Sequence, residues 1–462
     1  MSALKNGPSS SRLDFSGRID EEGVSVRQLI VILALSVLVL FDGMNNQMPA
    51  LIARDLTRDL GLPLSGFGLV FSSGVIGSIL GALLMGPVAD LWLGRKRVLL
   101  MAMGLAGVCT VLAAHAGMLS EFVLLRFLTG IGLGAAMPNI VALGAEFSPP
   151  RVSRQHVSLL LVFMPLGSLL GGVLARSIVP QFDWRMLLQV AGIATLALTA
   201  VAGVIVPESV QFLIHRKGDY KRAMAAARRL SPSADRTAVK LQHGDAGAKH
   251  DRGAAEGVFG SGLWKLTLTL WLILILGQAI LFFILGWMPA LLVKSGMSSS
   301  VGMDAAMSLG IGGAIGTAAE GWLTARFGIY RVMFPQIAVY IVAMLTLPLA
   351  LGHALILHAI LLVVAVTFYA YLTGVVLLVV ESYPEEVGST ALGWSLAVGR
   401  IGGSGAPVLV GFLLGIGWSP ALLFIGAGVL GAVTGVALIG ARKLAVERAR
   451  GLNHALGRAS TG

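Results

Sequence analysis

The stretch LIVILALSVLVLFDGMNNQMPALIA, Leu29 to Ala53, decides the class of this protein. It is long enough for an α-helix to cross about 30 Å of hydrocarbon at about 1.5 Å per residue, and Asp42 is its only ionisable side chain. Apolar runs of the same kind recur as far as Gly440 in a chain of 462 residues that is 56% hydrophobic and only 12% charged. Lipid is therefore the main solvent, which excludes a soluble enzyme and a disordered chain. Lipid cannot satisfy free backbone groups, and a barrel would show short alternating segments, so the runs are helices.

Outward from that stretch, a window of about 20 residues predicts twelve spans: 28–52, 66–89, 98–116, 121–146, 156–180, 185–206, 263–292, 302–325, 330–352, 355–380, 388–414 and 418–440. The predicted organisation is an N-terminal tail (1–27), a six-helix bundle (28–206), a polar central loop (207–262), a second six-helix bundle (263–441) and a C-terminal tail (442–462). The first 27 residues lack the apolar core and cleavage site of a signal peptide and read as a cytosolic tail. Asp219 to Leu230 reads as a short amphipathic helix on the cytosolic surface.

Lys and Arg number 34 against 23 acids, a net charge of +11. A nucleic-acid partner would need a basic patch or binding motif, and neither is present. Sorted by side of the membrane, 27 basic residues fall on the side of both termini and five on the other (Arg54, Arg58, Arg176, Arg185, Lys294), with Arg126 and Arg400 inside helices. The positive-inside rule then makes both termini cytoplasmic. The single cysteine, Cys109, lies in an apolar run and can form no intramolecular disulfide.

The chain also repeats itself. Gly86 matches Gly321, Glu146-x-x-Pro149 matches Glu381-x-x-Pro384, and Gly167 matches Gly402, each pair 235 residues apart. Met48-Pro49-Ala50-Leu51 recurs as Met288-Pro289-Ala290-Leu291, shifted by 240, which suggests a loop-length change after the first span of each half. Two six-helix halves of like orientation imply parallel repeats about an axis along the membrane normal, with a site near midplane between them.

Six strings fall in order, each at its span: FDGMNNQ from Phe41, GPVADLWLGRKR from Gly86, RFLTGIGLGAAMPN from Arg126, PESVQFL from Pro207, GWLTARFG from Gly321 and GWSLAVGRIGG from Gly393. On these the chain resembles a major facilitator superfamily transporter, and more narrowly the aromatic acid/proton symporter family, over nearly its whole length. The resemblance implies an all-α integral membrane fold of twelve helices in two pseudo-symmetric bundles. There are departures. In the loop after span two Asp90 is kept, but Leu91 replaces the family's Arg and one residue is inserted before Gly94; the second copy has Ala325 where an Asp would be expected. In span one the family's second carboxylate is replaced by Asn45.

Arg400 lies near the middle of span eleven, where an Arg costs about 2.5 to 3.5 kcal/mol even on the mildest scale, so it should face a cavity or a partner. Its guanidinium fork suits a carboxylate, and Gly399, Gly402, Gly403, Gly405 and Pro407 leave room for one; a structural salt bridge is the other reading. Arg126 begins an Arg-x-x-x-Gly pattern which the resemblance associates with proton coupling; snorkelling to the nearby interface is its alternative. Asp42 lies about 18 Å below Arg54 by helical rise. Burial and a neighbouring arginine act in opposite senses on a carboxylate's hold on its proton, so it could load and unload one; a permanently ionised partner of an Arg is the alternative.

The eight histidines lie in tails, loops or helix ends, so proton coupling would fall to carboxylates. Asn45, Gln47, Gln278, Trp287, Tyr369, Tyr371 and Trp394 are candidates to line an aromatic site, although aromatics in lipid helices more often pack or face headgroups. Asp90, Arg95, Glu146, Arg326 and Glu381 form the candidate cytoplasmic gating set, and the resemblance suggests that Asp90 acts in a latch between helices. Glu320 lies near a cytoplasmic helix end and is taken for a gate or loop salt bridge.

The expected function is proton-coupled uptake of a small aromatic carboxylate across the bacterial inner membrane, by alternating access of a monomer. It needs no metal and no cofactor beyond the proton gradient. Competing readings are an exporter or a porter of another organic anion and, further off, a non-transporting membrane sensor; an intramembrane enzyme would need a His pair or Ser/His cluster that the helices lack.

Overall fold

In a computed structural model, residues 25–61, 64–148, 150–215, 219–230, 263–383 and 385–459 are described. Twelve long helices run through them: α1 (Val26–Asp59), α2 (Phe67–Val88), α3 (Arg95–Ala113), α4 (Leu119–Glu146), α5 (Pro150–Ile178), α6 (Trp184–Ile205), α7 (Trp264–Lys294), α8 (Ser299–Phe327), α9 (Ile329–Thr346), α10 (Ala354–Ser382), α11 (Glu385–Gly415) and α12 (Pro420–Ala459). Short helices Val210–His215 and Tyr220–Leu230 follow α6. Eleven of the twelve are apolar and long enough to cross a membrane by composition alone. The exception is α8, which is rich in Gly and Ser and carries Asp304, Glu320 and Arg326; it packs against α5 and α10 and still exposes Ile311, Ile315 and Trp322.

Local chemistry sets the helix ends. Ser25 and Gln28 form a reciprocal capping box at the start of α1, with Gln28 N–H donating to Ser25 Oγ at 3.2 Å and Ser25 N–H to Gln28 Oε1 at 2.8 Å. α1 runs to Asp59, seven residues past its predicted end, because an apolar window stops at Arg54 while the helix continues into polar surroundings. α12 likewise continues to Ala459, so the predicted C-terminal tail is largely a helical extension.

The inserted residue before Gly94 is absorbed by a π turn, Ala89–Leu93, where Gly94 N–H reaches back five residues to the Ala89 carbonyl at 3.0 Å. The matching end of α8 closes in ordinary α fashion, from Gly328 N–H to the Thr324 carbonyl at 2.9 Å. Both turns end on a glycine in the left-handed region, Gly94 at φ 96° and Gly328 at φ 87°.

Packing follows the repeat. α1 packs on α5, α2 on α4, α3 on α4 and α6; correspondingly α7 packs on α11, α8 on α10, α9 on α10 and α12. The register is shared to the residue. A Cβ at Gly167 would overlap the Leu40 carbonyl and one at Gly402 the Ile275 carbonyl, with members of both pairs 235 apart. Helix ends Asp59 and Lys294 have the same offset. Pro49 is thus matched in space by Ile284, and the 240-residue echo around Pro289 is a sequence likeness without structural equivalence.

The halves meet along α5 with α8, α2 with α11, and α1 with α7. Taking the near face as the one that carries the start of α1 and the end of α12, the described contacts between halves run from mid-depth to the far face. Arg176 pairs with Asp304 at 3.2 Å, Arg54 donates to Ser299 Oγ at 2.6 Å, and Ser72 donates to the Ser404 carbonyl at 2.9 Å. Gln47 Nε2 donates to the Leu285 carbonyl at 2.9 Å, and the Phe67 and Trp287 rings meet edge to face at 5.6 Å.

Candidate functional site

Among the described residues, mid-depth holds one acid and two arginines. Asp42, 4% exposed, sits at the middle of α1, where Asn46 Nδ2 donates to its backbone carbonyl at 3.0 Å. Arg400 comes from the middle of α11 in the other half. Gly399 and Gly402 let that face of α11 lie against α7, at Leu274, Gln278 and Ile275. Arg400 reaches α2, its Nη1 donating to the Ser78 carbonyl at 3.0 Å, and so bridges the two halves.

Asp42 and Arg400 attract each other electrostatically but form no direct ion pair among the described residues. With Nη1 committed to Ser78, Nε and Nη2 have no acceptor among the described residues. These two atoms form the edge of a guanidinium that grips a carboxylate side-on. Among the described residues Arg400 forms no salt bridge, which was its alternative reading.

Arg126 is 4% exposed and does not snorkel to the interface. Its Nη2 donates to the Asn45 carbonyl at 3.3 Å, about one turn above Asp42, while Nε and Nη1 are buried without a protein partner. Gly74 packs against this guanidinium: a Cβ there would lie in ordinary contact, 3.6 Å from Nη2. Burying guanidinium donors without partners is expensive, so this is a place suited to water or a second carboxylate.

The other candidates disperse. Asn45 is fully engaged: its Nδ2 donates to the Phe41 carbonyl at 2.9 Å and to Thr195 Oγ1 at 3.1 Å, and its Oδ1 accepts from Thr110 Oγ1 at 3.0 Å. It ties α1 to α3 and α6. Gln47 belongs to the far-side closure between α1 and α7, and Trp287 to that between α2 and α7. Tyr371 is buried within the second half, stacked on Phe368 at 6.3 Å, and Trp394 is 40% exposed on α11. Gln278, beside Gly399, is the one that lies next to the Arg400 segment. Tyr369 lies against Gly313 where α5, α8 and α10 converge.

At the near face Arg95 pairs with Glu146 at 3.3 Å. Glu146 also accepts from Ser209 Oγ at 2.7 Å and from Gln211 N–H at 3.1 Å. Glu208 accepts from Lys96 N–H at 2.9 Å at the start of α3. The clasp therefore uses the PESVQFL string, to which sequence reasoning had given no role; its Glu followed by Ser was the available signal. The side chain of Asp90 lies outside the described residues. In the second half Arg326 is exposed, its guanidinium 5.9 Å from the Trp322 ring and 5.7 Å from that of Phe327, and it forms no ion pair with Glu381 among the described residues. Glu320 is fully buried, accepting from Gln336 Nε2 at 2.5 Å, and makes no ion pair among the described residues.

The model of the Major Facilitator Superfamily matches residues 33–407. A gallate transporter of Pseudomonas putida is 31% identical over 422 residues, 90% of this chain and 92% of its own length. The 4-hydroxybenzoate transporter PcaK of Pseudomonas aeruginosa is 29% identical over 412 residues, 89% and 92% of the respective chains. Among solved structures, the inward-open xylose transporter XylE from E. coli superposes with a TM-score of 0.74 at 18% identity, covering 89% of this chain and 95% of its own. At that identity the likeness shows the fold alone.

Proposed function

This chain belongs to the Major Facilitator Superfamily, a transporter rather than an enzyme, and from that premise we propose that it takes up a small aromatic carboxylate together with protons. The observation that carries the reading is the separated pair Asp42 and Arg400 at mid-depth, one from each half. A carboxylate substrate on the free edge of Arg400 would meet, across the gap, an acid able to load and release a proton. The pair lies where the two halves meet, so both groups change surroundings when the halves rock. The relatives named for gallate and 4-hydroxybenzoate support the substrate class.

The protein works in the bacterial cytoplasmic membrane with both termini inside. The support is the excess of Lys and Arg on that side, 27 against five. The near face is then cytoplasmic, and the contacts described between the halves close the outer side, an inward-facing arrangement. A monomer suffices, because the groups proposed for substrate and proton come from the two halves of one chain.

The test is uptake into proteoliposomes with and without an imposed inward proton gradient, against a panel of benzoate, 4-hydroxybenzoate and gallate. Gradient-stimulated accumulation of one of them is expected. Uptake of none, or transport only of non-aromatic anions, would overturn the reading.

A further inference from the structure

Five basic residues lie on the far face, and three of them are neutralised locally. Arg58 pairs with Asp55 at 3.8 Å and Asp59 at 3.4 Å, Arg176 with Asp304 at 3.2 Å, and Arg185 with Asp59 at 2.9 Å and Asp183 at 3.3 Å. Arg54 and Lys294 have no carboxylate partner among the described residues; Arg54 donates only to Ser299 Oγ, at 2.6 Å. These two line the same cavity. Its volume is about 410 Å³, and Thr57, Ala290, Val293 and Met297 complete most of its wall.

The cavity lies between the ends of α1 and α7, so its two cations come from different halves. Its composition is that of a small-anion site: two positive charges, with aliphatic and thioether surface on which a flat apolar ring can lie. A structural explanation covers only part of this. A cation in the last turn of a helix is favoured by the helix dipole, which accounts for Lys294. It does not account for Arg54, five residues before the end of α1, nor for the convergence of both on one cavity. The repeat sharpens the contrast: Asp59, the counterpart of Lys294, is tied to α6 by Trp184 Nε1 at 2.9 Å and by Arg185, whereas Lys294 makes no such tie.

Beneath the cavity the path is shut. Trp287 lies one turn below Ala290 with its ring against Phe67, and Gln47 is bonded to the Leu285 carbonyl. Arg54 is about 18 Å of helical rise from Asp42.

We propose that Arg54 and Lys294 form an outer capture site, where an aromatic monocarboxylate is held above the closed α1–α7 layer before the halves part. This rests on the functional reading above. When the ends of α1 and α7 separate, the two cations are drawn apart, the site loses its grip, and the anion is released into the opened path toward Arg400.

The test measures initial uptake against concentration, at low and high NaCl, of whichever panel acid the wild-type protein transports best. For Arg54→Gln with Lys294→Gln the KM is expected to rise about fivefold, by more than any fall in maximal rate, and to lose most of its dependence on salt. Arg54→Lys keeps the charge and should hold KM within about twofold. A doubly neutralised variant with unchanged KM and unchanged salt dependence overturns the capture site and leaves the functional reading standing. A loss confined to maximal rate also overturns it, since that marks a gating contact through Ser299. If wild-type protein transports no panel acid, the functional reading fails and the capture site falls with it.

Discussion

Arg400 touches the Ser78 carbonyl, and the residues matched to these two by the 235-residue offset, Pro165 and Gly313, touch each other at the corresponding place: a Cβ at Gly313 would lie 2.8 Å from Pro165 Cβ. One crossing is apolar and the other holds a guanidinium. The site is therefore one-sided in a symmetric frame, and its charge can be altered without disturbing the opposite crossing.

Arg400→Lys keeps the charge but loses the fork. A charge-assisted hydrogen bond is worth about 1.5 to 3 kcal/mol, so losing one should raise the KM for the aromatic acid about ten- to a hundredfold. Kinetics in proteoliposomes check this; a KM within twofold of wild type would remove Arg400 from substrate binding.

Asp42→Asn preserves shape and hydrogen bonding but cannot release a proton. Exchange of labelled for unlabelled substrate should persist, while accumulation driven by a pH gradient should collapse to equilibration. A variant that still concentrates substrate would place the coupling elsewhere.

Gly402→Val forces a side chain into the Ile275 carbonyl, and Gly167→Val does the same at Leu40. Each should destabilise its half by about 1 to 3 kcal/mol, and similarity of the two losses is the sharper expectation. Thermal unfolding in detergent measures both. A stable Gly167→Val beside an unstable Gly402→Val would contradict the shared register.

Ser209→Ala removes the 2.7 Å bond to Glu146 but leaves Arg95 in place, and Glu146→Gln weakens every bond that Glu146 makes. The first should cost about 1 kcal/mol and the second more, up to about 3. Thermal unfolding orders them; equal effects would mean that Glu146 contributes through a single contact.

Much of this was legible in the residues. Helix length in lipid is fixed by bilayer thickness, so the spans could be placed, and an ionisable side chain at helix centre marks itself, as Asp42 and Arg400 do. Polar uncharged groups are different. Asn45, Gln47 and Gln278 look alike in sequence, yet one braces the first half, one closes the outer side, and one lies beside the arginine segment. A helix with apolar surface on every side carries no polar stripe to indicate which neighbour each face meets. The partner of Glu208 could not be read off for another reason: the Lys96 amide at the start of α3 lies 112 residues away, and no helical spacing links the two.

The seams between the halves obey an exchange rule. Gly68 meets Pro407, while Gly172 meets Met303, the residues obtained by moving each partner into the other half. Residue i touching j while the image of j touches the image of i is the signature of an isologous, two-fold dimer interface. The chain thus behaves as a homodimer fused end to end, with its self-complementary patch preserved. Asp42 faces an image position occupied by Gly277, and Arg400 one occupied by Pro165. The polarity of the site therefore rests on positions where the two copies differ, set on a seam where they agree.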